Sequence, residues 1–266
     1  MSTPETVDNQ KVVHFHNDSH YGDHIFNLKF FLVNTKILKE RGIQIHYYYH
    51  DGYIRDRSEL EAYIDPEVVH LHTMAEKPKS SIQIYIGNQI GGLSHRKFKT
   101  FMIEFYKQIV RHLGLTDLNI DLSLFQKEDY LLDIYAKLDP KFQNVDILVL
   151  NSPPASGQFS GYDQAKFDAL ATRLSKRYKV AVITAVNDIA CTRTDGLKLR
   201  DIGAVSTHAK FIIGMNSGPM VPCLNIYAKN SVKKWIVFDG WPFEELFGDI
   251  EIDVSVDINA TDEKIP

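Results

Sequence analysis

The stretch 199–228, LRDIGAVSTHAKFIIGMNSGPMVPCLNIYA, constrains what this chain can fold into more than any other. Leu199, Ile202, Val205 and Ala209 recur at helical spacing, so 199–208 is expected to form a short amphipathic helix. Phe211-Ile212-Ile213 is then a run of consecutive apolar residues, the mark of a strand buried on both faces, as in a parallel sheet. Gly214-Met215-Asn216-Ser217-Gly218-Pro219 follows as a turn, and Pro219 suits the first position of a new helix. A helix, a two-sided strand and a turn into another helix belong to an α/β layered architecture. Small residues with free N–H groups at such a turn can cradle an anion, because the backbone comes close and the helix dipole favours negative charge. A strand–helix turn without a ligand satisfies the same spacing.

The alternation continues in both directions. Strands are expected at 12–15, 43–49, 68–72, 82–86, 147–150, 179–184, 224–227 and 235–238. Residues 250–258 alternate apolar and acidic or polar side chains with period two and are expected to form a half-buried edge strand. Helices are expected from Asp23 onward, at 60–64, along Phe98 to Leu113, at 124–138, around Phe167 to Leu174 and at 241–247. With 266 residues there is room for two domains, divided near Pro140–Asn144. The expected organisation is a first Rossmann-like domain over 11–140, a second over 145–240, and a crossing helix with an edge strand over 241–266.

Composition narrows the partners. A net charge of −4 gives no general pull toward nucleic acid or anionic lipid, so any phosphate binding has to be local. Two cysteines, Cys191 and Cys223, make neither a metal cluster nor a disulfide framework; reduced thiols in a cytoplasmic setting are the expectation. No apolar run approaches the roughly 18 residues of a membrane span, which leaves peripheral membrane association as the most to be expected.

Two loops carry candidate chemistry. The first, His16-Asn17-Asp18-Ser19-His20-Tyr21-Gly22-Asp23-His24, leaves the first strand at its carboxyl end, where open α/β sheets gather ligands. Its histidines and aspartates permit a metal site. The adopted reading takes no metal: Asp23 is either the N-cap of the following helix, a general base, or both. Asp18, His20 and His24 are then placed beside an acceptor. The second, 151–162, is a long polar loop after the strand 147–150 and holds Ser156. The glycine-rich stretch Gly87 to Gly92 matches neither a P-loop nor a dinucleotide fingerprint and reads as a turn.

The order of helix, apolar strand, Gly-x-Asn-Ser-Gly-Pro and small-residue helix resembles the donor-binding segment of heptosyltransferase-like glycosyltransferases of family 9. The resemblance implies the GT-B architecture, two Rossmann-like domains facing a cleft, in a compact form with a trimmed first domain. It implies a nucleoside-diphosphate sugar as donor substrate, no cofactor, and a glycan or glycolipid hydroxyl as acceptor. Asn216, Ser217, Gly218 and Pro219 would hold the diphosphate, with Ser156, Asp188 and Arg193 beside them. Gly22-Asp23 lines up with the family's Gly-Asp, which makes Asp23 the expected general base. Three departures stand out. Met215-Asn216 replaces Asn-Asp, Val221 replaces a histidine, and the loop after residue 150 has no basic residue before Lys166. Arg193, Arg200 and Lys210 are the candidates to replace that charge. No convincing Asp-x-Asp motif is present, so the expected transfer is metal-independent. A sugar-nucleotide epimerase on the same fold and a non-catalytic nucleotide-sugar-binding protein are the alternatives.

Overall fold

The structure is a computed structural model that describes residues 11–52, 54, 56–84, 98–154, 161–215, 217–238, 252–253 and 258–265. It divides into two compact units, Met1–Gly91 with Met102–Asp121, and Gly92–Phe101 with Leu122–Pro266. The division therefore falls at Asp121/Leu122, earlier than the Pro140–Asn144 stretch singled out from composition.

The first unit contains β1 (Lys11–Asn17), α1 (Tyr21–Val33), α2 (Thr35–Glu40), β2 (Ile43–Tyr49), α3 (Ser58–Glu61), β3 (Val69–Thr73) and β4 (Ile82–Gln83). Most of α4 (Phe98–Leu113) joins them. The sheet has the order β3-β2-β1-β4, and all its pairings are parallel. The pleat sends Val13, Phe15, Ile45, Tyr47, Val69 and Leu71 to one face, all of them buried. Phe15 stacks there on Phe31 of α1, with ring centroids 5.7 Å apart.

The second unit contains α5 (Leu122–Gln126), α6 (Tyr130–Lys137), β5 (Ile147–Leu150), α7 (Gln164–Leu174), β6 (Val180–Val182) and β7 (Ala190–Cys191). It continues through α8 (Leu199–Ser206), β8 (Phe211–Met215), a 3₁₀ turn at Gly218–Cys223, α9 (Ile226–Ser231), β9 (Lys234–Phe238) and β10 (Ile252–Asp253). Its parallel sheet has the order β10-β9-β8-β5-β6-β7. Ile147, Val149, Val182, Ile213 and Ile236 form a continuous aliphatic layer under Phe167, Leu170 and Leu174 of α7. The helices α5 and α6 belong to this unit because α6 packs on α8. The buried Leu131 comes so close to Gly203 that an added Cβ there would lie 3.4 Å from it.

Several expectations need correction. The helix expected over 124–138 is two helices, broken where the buried Glu128 turns its carboxylate to the Tyr130 hydroxyl. The strand expected at 224–227 is a helix start: Asn225 Oδ1 accepts the Ala228 N–H at 2.8 Å and caps α9. Gly214 and Met215 belong to β8 rather than to the turn after it. A Cβ on Gly214 would lie 2.5 Å from Leu150 Cβ, so glycine is there to let β8 approach β5. Pro219 is the second residue of a short 3₁₀ turn that opens at Gly218 and contains Pro222, before α9 begins. Of the edge strand expected over 250–258, β10 at Ile252–Asp253 lies at the edge of its sheet, Ile258 instead begins a 3₁₀ turn, and the remaining residues lie outside the described ones. The 241–247 helix and the 87–92 turn lie outside the described residues. Among the described residues no helix is long and apolar enough to cross a membrane.

Candidate functional site

Each unit places a buried asparagine at the carboxyl end of its first strand, and each asparagine shapes the loop that follows. In the first unit this is Asn17, fully buried at the end of β1. Its Oδ1 accepts the Ser19 N–H at 2.8 Å, an Asx turn that reverses the chain early. Its Nδ2 donates to Asn27 Oδ1 at 2.7 Å, which ties the turn to α1. Because the turn is made by Asn17, the helix starts at Tyr21 with His20 as N-cap, and Asp23 is the third helical residue rather than the cap. The Asp23 carboxylate then reaches back: Oδ2 accepts from Ser19 Oγ at 2.8 Å and from the His20 N–H at 3.3 Å. Burial raises the Asp23 pKa above its ordinary value, against the opposing pull of those two donors. A carboxylate of raised basicity, with one oxygen held by two donors, is suited to accepting a proton.

The neighbouring candidates separate. Asp18 is exposed and accepts from Gln83 Nε2 at 2.8 Å, and His20 is half-buried at the helix start. His24 is fully buried, with Nδ1 2.9 Å from the Tyr47 hydroxyl, and burial pushes its pKa down to about 3. This corrects the expectation for His24: a neutral imidazole in the core supports α1 from below and presents nothing to an acceptor. Among the described residues no three His, Cys, Asp or Glu side chains are placed to hold a metal ion.

In the second unit the corresponding residue is Asn151, fully buried just past β5. Its Oδ1 accepts the N–H groups of Ile183 and Thr184, each at 2.9 Å, and its Nδ2 donates to the Thr184 carbonyl at 2.9 Å. That clamp fixes the exit of β6 against the exit of β5. Three buried hydroxyls lie just past the carboxyl ends of β6, β7 and β8: Thr184, Thr192 and Ser217. Each lacks a hydrogen-bond partner among the described residues. Buried hydroxyls are ordinarily paired, so three unpaired at the carboxyl edge of one sheet mark that edge as the candidate site. Thr184 and Thr192 were not among the sequence candidates; a threonine one or two residues after each short apolar run was the available signal.

Of the other predicted residues, Ser217 and Gly218 sit at the exit of β8, Ser217 capping the 3₁₀ turn that contains Gly218 and Pro219. Asn216 and Ser156 lie outside the described residues. Asp188 is exposed in the turn between β6 and β7, beside Asn187 in the left-handed region at φ 47°. Arg193 is exposed just past β7 and its charge reaches Tyr162, whose hydroxyl donates to Gln164 at 2.7 Å. Arg200 lies in the first turn of α8, its Nε buried and 3.8 Å from Asp201. Lys210 is different. It precedes β8, pairs with Asp146 at 2.6 Å ahead of β5, and so occupies the opposite end of the sheet. Of the three basic candidates, only Arg193 and Arg200 stand at the carboxyl edge.

Comparison with known proteins bears on the fold. No family model and no curated protein sequence matches the chain. Solved structures do. An E. coli heptosyltransferase, WaaC, with ADP aligns over 96% of this chain and 98% of its own, with a TM-score of 0.53 and 11% identity. The same enzyme with ADP-2-deoxy-2-fluoro heptose gives the same values. A glycosyl transferase of family 9 from Veillonella parvula aligns over 95% of this chain and 88% of its own, with a TM-score of 0.50 and 13% identity. The fold is therefore of the GT-B type, two Rossmann-like units with parallel sheets.

Proposed function

We propose, from the premise of a heptosyltransferase-type fold, that the protein transfers a sugar from a nucleoside-diphosphate sugar to a hydroxyl of a glycan or glycolipid. The observation that carries this reading is the set of unpaired buried hydroxyls, Thr184, Thr192 and Ser217, at the carboxyl edge of the second sheet. The aligned E. coli enzyme was solved with ADP and with an ADP-sugar analogue, which makes a nucleotide the natural guest for that edge. In this reading Ser217 and the Gly218 N–H meet the diphosphate, and Arg193 or Arg200 supplies the countercharge. Asp23 takes the proton from the acceptor hydroxyl as its oxygen bonds to the anomeric carbon. The bond from that carbon to the diphosphate breaks, and the nucleoside diphosphate leaves with the electron pair. Neither a metal ion nor a cofactor is required for this balance.

The test is a thermal-shift screen against UDP-, GDP-, ADP-, CMP- and dTDP-sugars, with and without Mn²⁺. The expected result is stabilisation by the sugars of one nucleobase, unchanged by metal and lost in Ser217→Ala. Absence of any response, or a response confined to the metal-containing samples, would overturn the reading.

A further inference from the structure

The face of the first sheet turned away from Phe15 and Tyr47 carries a different chemistry. Strands of a parallel sheet are usually apolar on both faces, since both are covered. Here the register places His14 beside His46 and His46 beside His70. Two residues further along it places His16 beside Tyr48 and Tyr48 beside His72. All five histidines are half-buried.

One contact in this group depends on where the protons are. His72 Nε2 and His46 Nδ1 form a hydrogen bond of 3.0 Å from β3 to β2, and the two rings stack with centroids 4.9 Å apart. A bond between two imidazole nitrogens needs a proton on one and a lone pair on the other. A second proton turns the acceptor into a donor, and the bond is lost. The neighbouring contacts are less sensitive. His14 Nδ1 meets the Tyr48 hydroxyl at 3.0 Å and His16 Nδ1 meets Ser81 Oγ at 3.0 Å, and a hydroxyl serves as donor or acceptor.

β3 is an edge strand of its sheet, and among the described residues β2 is the strand it pairs with. We propose that the histidine face is an acid-responsive element, which ties β3 to β2 while its imidazoles are neutral and loosens that edge as they gain protons.

The surrounding charges set the direction. His46 has His14 at 5.2 Å and His70 at 5.1 Å between ring centroids, besides His72, so a proton on one ring disfavours a proton on the next. Around His72 stand Glu76, whose Oε1 is 3.8 Å from Nδ1, and Arg57, which is itself paired with Glu61 at 2.9 Å. Lys77 and Asp18 are the charges acting on His16. Burial, and after it the neighbouring histidines, hold the His46 pKa below its ordinary value. Burial does the same for His72 against the pull of Glu76, and for His16 with Lys77 adding to it. A histidine whose folded pKa lies below the unfolded value contributes stability in full above about pH 6.5. That contribution is lost as pH falls toward the folded value, so acid is the loosening direction.

The test is amide hydrogen exchange of the full chain at about pH 7.5 and about pH 5.5, corrected for the change in intrinsic rate. Protection in β3 is expected to fall at least roughly tenfold more than protection in β5 and β8 of the second unit. His46→Gln puts a side chain that hydrogen-bonds without titrating at the centre of the face, and is expected to remove most of that fall. His72→Gln, at the other end of the same bond, is expected to do likewise, which covers the case in which one variant fails to fold. His112→Gln, exposed on α4, is expected to leave the fall unchanged. Equal protection of β3 at the two pH values in the natural chain would overturn the proposal. So would a fall that persists undiminished in the glutamine variants, since it would then belong to another group, such as the buried His24 of α1. The experiment uses no ligand, so its outcome is independent of the nucleotide-sugar screen.

Discussion

Asp23 and His24 are adjacent in the chain and are pushed in opposite directions by the same burial. For Asp23 the folded pKa lies above the ordinary value, so the stability its carboxyl contributes in the protonated form is lost as pH rises through the folded value. Asp23→Asn is therefore expected to raise the melting temperature at neutral pH. In the proposed reaction it also removes turnover by roughly 10²–10⁴-fold while donor affinity is kept. Thermal unfolding and a transfer assay with the donor found by screening would check the two halves. For His24 the folded value, about 3, lies below the ordinary 6.5. Its contribution to stability is complete above pH 6.5 and is lost as pH falls toward 3, up to about 4 kcal/mol. His24→Phe keeps an aromatic ring in the core and is expected to flatten the fall in stability over that window in urea melts at stepped pH. An Asp-His pair six residues after Asn17 was visible in the sequence; which of the two faces inward was set by the Asn17 turn that starts α1 at Tyr21.

At the scale of elements, the strand exits carry the proposed function and two small features hold them. Asn151 joins β5 to the exit of β6 through three hydrogen bonds to Ile183 and Thr184, and a fourth reaches Asp168 at 3.1 Å. Asn151→Ala leaves those buried backbone groups unpaired and is expected to cost about 3 kcal/mol, read as a lower urea midpoint at unchanged slope. Gly214→Ala would set a methyl group 2.5 Å from Leu150 Cβ, forcing β8 away from β5. A cost of about 1–3 kcal/mol is expected from the same measurement, with weaker nucleotide binding because Ser217 moves with its strand. The apolar runs at 43–49 and 147–150 were legible as strands to the residue, since an apolar run needs only its own neighbours to be recognised. Residues 224–227 were not: Leu224 and Ile226 read as strand, yet the Asn225 cap starts a helix at Ile226 and leaves Leu224 at the end of the preceding 3₁₀ turn.

At the scale of the whole molecule, a donor ligand is expected to protect one of the two sheets. A nucleotide sugar at a hundred times its Kd would stabilise the folded chain by about 2.7 kcal/mol. In amide hydrogen exchange that protection is expected at the exits of β6, β7 and β8. Protection of the first sheet by the nucleotide sugar alone would speak against the donor assignment to Ser217 and its neighbours.

The sequence by itself determined the alternation of helices and strands, the parallel character of both sheets and the Ser-Gly-Pro turn after β8, because periodicity and turn chemistry are read from residues close in the chain. The tertiary structure decided which residues share a site. Thr184, Thr192 and Ser217 meet the same edge only because β6, β7 and β8 run parallel in one sheet. Lys210 is excluded from that edge because its strand begins at the far end. His14, His46 and His70 lie side by side on one face of the first sheet only because they fall in register. Register is set by burying Val13, Phe15, Ile45, Tyr47, Val69 and Leu71 together under α1, and a slip of one residue would turn every histidine to the core. That burial is a property of the assembled sheet, and no local stretch of sequence contains it.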